Sequence, residues 1–137
     1  MRTTADQDQI LYDLLKVSSL NTALNGGLYK GERPQNSSLE DIVISSMLTG
    51  DGTLQEGVAN VNIYVPKMDI NIAGQVQKMR NSSRIGEVLG LAISALKEHY
   101  GNYFSLWTSK MQEFDEPQIN QTRLSLRIEF RMDNTII

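Results

Sequence analysis

The sequence predicts an α+β fold: a single domain over residues 1–137, with a largely antiparallel β-sheet, a long hairpin, and two main helices packed on one face. Three observations predict it. Leu124, Leu126, Ile128, Phe130 and Met132 alternate with Arg123, Ser125, Arg127, Glu129, Arg131 and Asp133, the period of a strand with one buried face. Val61, Ile63 and Val65 alternate with Asn60, Asn62 and Tyr64 in the same way. Between these stretches Ile85, Leu89, Ala92, Ile93 and Leu96 recur at helical spacing.

The first helix is predicted at 6–17, where Ile10, Leu14 and Val17 form a stripe widened by Leu11 and Leu15. Asp6 and Asp8 suit the positive end of its dipole. A short helical turn through Leu20 and Leu24 follows, and Asn25-Gly26-Gly27 ends it as a left-handed cap would. Leu28 to Lys30 reads as a short edge strand, and 31–38, with Pro34, as loop.

The long hairpin is predicted over 41–65. Ile42, Ile44 and Leu48 line one face of its first arm, with Ser46 breaking the row. Gly50, Gly52 and Gly57 give its tip backbone freedom. Leu54, apolar at that tip, reads either as folded back onto the sheet or as a partner contact.

Met68, Ile70 and Ile72 alternate with Lys67, Asp69 and Asn71, so the strand is expected to continue past Pro66. Residues 73–80 read as loop or an early helical turn. The second helix is predicted over 83–100, capped by Asn81, Ser82 or Ser83, with Lys97 and His99 in its last turn. Gly86, Gly90 and Ser94 make a small-residue groove on it, and interior glycines cost about 1 kcal/mol each, so a neighbour is expected there. Closing strands are predicted at 103–114 and 122–133, separated by a turn at Asp115-Glu116-Pro117.

Composition narrows the chemistry. With no cysteine and the single histidine His99, the chain has no thiolate site and no multi-histidine metal site of its own. A net charge of −3 gives no strong basic field. The N-terminus has no apolar signal core and no stretch approaches the ~20 apolar residues of a membrane span, so the expected location is the cytoplasm, without membrane contact. His99 reads as a capping or surface residue. Glu40, Asp41, Asp115 and Glu116 read as solvated element ends. Arg123, Arg127 and Arg131 form a row that Glu129 and Asp133 interrupt. With Tyr103 and Trp107 nearby it allows a nucleic-acid sheet, but a charged solvent or subunit face fits better.

The order of elements carries a resemblance. A short N-terminal helical region ends in Gly26-Gly27. Leu28-Tyr29-Lys30-Gly31-Glu32-Arg33-Pro34 follows, then a hairpin closing on Val61-Asn62-Ile63-Tyr64-Val65-Pro66, an amphipathic helix and two strands. This resembles the small tail-terminator or tail-completion (head–tail joining) proteins of tailed bacteriophages, over roughly residues 9–130, with a loose Tyr-x-Gly-x-x-Pro signature at Tyr29, Gly31 and Pro34.

The resemblance implies a structural virion protein, not an enzyme, with no cofactor and no metal. It implies a homo-oligomeric ring, usually a hexamer, at the head–tail junction, assembled in the host bacterial cytoplasm. The ring would end tail-tube polymerisation and touch the tail-tube protein and the head-connector protein. DNA would pass through its lumen without sequence-specific binding. The hairpin tip, at Asp51, Leu54, Gln55 and Glu56, and the row Arg123, Arg127 and Arg131 are the expected subunit or tube contacts. Another head–tail connector, a baseplate adaptor, or a small ligand-binding or enzymatic domain are the alternatives.

Overall fold

The computed structural model describes residues 2–133. In chain order these form α1 (Thr4–Lys16), α2 (Ser19–Ala23), β1 (Leu28–Lys30), β2 (Ile42–Thr49), β3 (Leu54–Pro66), β4 (Met68–Ile72), β5 (Gln75–Met79), α3 (Ser82–Leu96), β6 (Glu98–Tyr100), β7 (Phe104–Glu116) and β8 (Gln121–Asp133). A six-stranded sheet runs β1-β2-β3-β8-β7-β6, and β4-β5 stand apart as a two-stranded arm. Among the described residues only the β1-β2 pair is parallel. The fold is the predicted α+β class.

One face of the sheet carries the core. Register places Ile44, Val61 and Leu126 side by side, and Ile42, Ile63 and Leu124 in the next row. These rows pack with Leu11 and Leu15 of α1, Leu20 of α2, and Ile85, Val88, Ala92 and Leu96 of α3. α1 begins at a capping box in which the Asp6 amide donates to Thr3 Oγ1 at 3.3 Å, while the Thr3 amide donates to the Asp6 carboxylate at 2.6 Å. Asn81 Oδ1 caps α3 by accepting from the Arg84 amide at 3.2 Å.

α3 ends at Leu96, four residues before the predicted end at 100. Its terminal carbonyls are taken by β7: Thr108 donates from Oγ1 to Leu96 O at 2.6 Å and from its amide to Lys97 O at 3.3 Å. The chain then pairs Glu98, His99 and Tyr100 with Trp107, Leu106 and Ser105. His99 is therefore an exposed strand residue stacked near Phe104, 6.1 Å between ring centroids, and not a helix cap.

Residues 67–82 also depart from expectation. β4 does not prolong β3; it pairs back on β5 through a two-residue turn, Ala73-Gly74, with φ of 52° and 80°. Positive φ at both positions is the type I′ geometry that joins twisted strands without splaying them. Alanine rarely adopts it, which is why the turn is hard to read from sequence.

The glycines serve close approach more than freedom. Gly26 and Gly27 have no positive φ, so they are not a left-handed cap. A Cβ on Gly26 would sit 2.3 Å from the Glu40 carbonyl oxygen. A Cβ on Gly57 would meet Gln7 Oε1 at 1.8 Å, which lets the buried Gln7 amide reach Leu48 O and Val58 O, each at 3.4 Å. Of the tip glycines only Gly52 has positive φ, at 106°. Among the described residues nothing lies within 4 Å of a Cβ built on Gly86 or Gly90, so none of them is the neighbour expected there.

Candidate interaction surface

The helices cover one face of the sheet and leave the other open. That outer face is built from the even positions of β3, the odd positions of β8, and Trp107, Lys110, Gln112 and Phe114 of β7. Bulges in β2 at Met47 and in β7 at Ser109 shift the alternation midway along both strands. The shift leaves Met47 and Leu48 more than half exposed beside this face.

The arginine row lies along its middle, and each member faces a carboxylate. Arg123 Nε is 2.9 Å from Glu116 Oε1, and its guanidinium lies 4.3 Å above the Phe114 ring. Arg127 reaches Glu129 at 3.5 Å. Arg131 reaches Glu56, directly across on β3, at 3.8 Å, and stands 5.9 Å from the Trp107 ring. The hydrogen bond from Arg123 holds the Glu116 carboxyl below the usual carboxylate range, against partial burial. Exposed pairs of this kind contribute about 0–1 kcal/mol each to stability. Their larger effect is on the field, because the row presents no uncompensated line of positive charge.

Two open grooves flank Arg127. One, of about 340 Å³, lies between Leu48, Val58, Trp107, Glu129 and Arg131. The other, of about 180 Å³, is bordered by Met47, Asn60, Phe114 and Arg123. The surface is thus apolar at intervals and charge-balanced between them.

The predicted tip residues divide. Asp51 is exposed in the short 50–53 turn, while Leu54 (54 % exposed) and Glu56 open onto the outer face. Leu54 has not folded back onto the sheet. Gln55 points the other way and is fully buried. Its amide donates to Gly50 O and to Arg2 O at 2.9 Å, while its Oε1 accepts from the Arg2 amide at 2.7 Å. Within this chain Gln55 ties the hairpin tip to the N-terminus and presents nothing to a partner. The structure therefore groups Leu54, Glu56, Arg123, Arg127 and Arg131 on one face, leaves Asp51 at its rim, and separates Gln55. Sequence reasoning did not single out Met47 or Phe114 for this surface, since their placement depends on bulges that the residue pattern does not announce.

Glu40 and Asp41 are not solvated element ends; both are buried. Glu40 accepts from Arg84 Nε at 2.7 Å and Nη2 at 2.8 Å, which lowers its pKa and raises that of Arg84. Asp41 accepts from the Gly27 amide at 2.9 Å and from Ser37 Oγ at 2.5 Å, and pairs with Arg33 at 3.3 Å. A buried carboxylate persists when such partners replace its water. Asp115 is exposed, as expected.

Among the described residues no helix is long and apolar enough to cross a membrane. No protein-family model matches the chain, and no curated protein matches it.

Proposed function

We propose that this protein is a structural virion component that forms a ring at the end of a phage tail tube, terminates tail assembly and joins the tube to the head connector. The observation that carries this reading is the open outer face. Three strands of 13 residues each lie side by side, with helices on one side only and exposed Met47, Leu48, Leu54 and Phe114 among paired charges on the other. A contiguous face of this mixed character suits a protein partner. The elements on which the resemblance rests occur in the fold in that order, with the β4-β5 arm and the short β6 as additions to it. Ring closure would be heterologous, with one patch on each subunit meeting a different patch on the next. Neutralised arginines suit a ring through which DNA passes, because free cations would hold its phosphates.

Light scattering across a concentration series, with negative-stain images of the same samples alone and with tail tubes, tests the reading. Closed rings with a central hole are expected. A monomer under every condition would overturn it. Leu54→Asn is expected to weaken assembly while leaving thermal unfolding within about 1 kcal/mol of wild type. It is a cleaner probe than Leu54→Asp, which would set two carboxylates opposite each other at the Asp133 pairing.

A further inference from the structure

β7 has a free edge. β6 pairs only with Ser105, Leu106 and Trp107, and no strand of the described residues lies beside the rest of that edge. The bulge at Ser109 and the charge of Lys110 blunt its beginning, two common guards against strand addition. Over residues 111–116 no bulge interrupts the strand, and the charges there, on Glu113, Asp115 and Glu116, are paired within the chain. Alternate backbone N–H and C=O groups face outward there, beside exposed Met111 and Phe114.

The β4-β5 arm is the complementary feature. It leaves the body after Pro66 and pairs only with itself. Met68, Ile72, Val76 and Met79 are all exposed, Val76 to 69 %. A lone two-stranded hairpin is marginally stable in water, so an ordered arm with uncovered apolar side chains calls for a surface to lie on. Its outer edges are unpaired as well. Each arm strand has 5 residues, about 17 Å, and the open stretch of β7 spans about 20 Å. The match is one of length and of unpaired backbone; Lys78 is paired with Asp69 inside the arm at 2.7 Å and adds no free charge. Within the chain Lys67 pairs with Asp115 at 2.6 Å and Arg80 with Glu113, which anchors the arm's base and leaves its strands uncovered.

We propose that the β4-β5 arm of one copy adds to the free β7 edge of a second copy, continuing one subunit's sheet into the next. Arm and edge are different patches of the same chain, so the contact is heterologous and propagates in one direction. Closure of that series into a ring rests on the function proposed above; the contact itself does not.

The absence of cysteine allows single thiols to be placed cleanly. Val76→Cys marks the arm and Gln112→Cys the edge, both at exposed positions. The two variants are mixed, treated with a short bismaleimide and read on a denaturing gel, beside each variant alone and the double variant. The expected result is a mixed dimer several-fold above either variant alone, and a ladder from the double variant that stops at the ring number. A mixed dimer with a double variant that stops at two copies supports the arm contact and overturns the ring. Absence of the mixed dimer in a sample that scatters light as an oligomer overturns the arm contact and leaves the ring standing. Absence of crosslinks from a sample that stays monomeric both alone and with tail tubes overturns both.

Discussion

At the scale of single residues, the Tyr29, Gly31 and Pro34 signature belongs to the architecture of one loop. Gly31 turns the chain at φ 82°, and Arg33 lies 4.0 Å over the Tyr64 ring while pairing with buried Asp41. Gly26 lets the same knot close against the Glu40 backbone. Gly26→Ala is therefore expected to cost about 1–3 kcal/mol, because backbone atoms, not a flexible side-chain end, block the new Cβ. Denaturant midpoints check this, and an unchanged midpoint would refute the close-packing account. The bidentate Arg84 pair favours the charged form of Glu40 in the folded state and lowers its pKa from 4.5. The linked stability is full above the unfolded pKa and fades as pH falls through the lowered folded value. Glu40→Gln is thus expected to be less stable than wild type at pH 7, with the gap closing in the acid range below pH 4.5. Urea titrations at several pH values measure it. None of this burial was legible in the sequence, because the partners Arg33 and Arg84 are brought to Asp41 and Glu40 only by the fold.

At the scale of elements, legibility followed the regularity of the pattern. The alternating stretches of β8 and β3 are legible directly, and these two strands pair with each other in unbroken register. The residue pattern of α3 locates it, but its C-terminus was misread because tertiary hydrogen bonds from Thr108 end it. The arm was missed because its turn uses alanine at φ 52°, where asparagine or glycine is the usual signal. That mismatch yields a prediction. Ala73→Asn, facing Gly74 in the same turn, is expected to stabilise the arm by roughly 1 kcal/mol, since asparagine tolerates the left-handed region better. Hydrogen exchange over residues 68–79 reports it as slower amide exchange, with the rest of the chain unchanged. If the arm is a subunit contact, the same substitution tightens assembly by pre-organising it. Faster arm exchange would show that the turn is not limiting.

At the scale of the whole molecule, alternation alone indicates that one sheet face is open, but not what charge it presents. Arg123, Arg127 and Arg131 read as a basic row in one dimension. Their neutralisation appears only when register sets Glu56 across from Arg131, and when the β7-β8 turn returns Glu116 to Arg123. The surface can be tested as a unit. Replacing Glu56, Glu116 and Glu129 by glutamine removes three negative charges from a chain of net charge −3 and leaves the arginines without carboxylate partners. Duplex DNA is expected to bind this triple variant at low salt, with log K falling against log salt at a slope of roughly −3, or about −0.9 per arginine contact. Wild type is expected to bind far more weakly under the same conditions, as the proposed passage of DNA requires. Equal binding by the two would mean that the carboxylates do not screen the row, and would return the outer face to the nucleic-acid reading. A triple variant that binds DNA but no longer assembles would instead show that the same pairs hold neighbouring subunits, uniting the electrostatic and the assembly roles on one face.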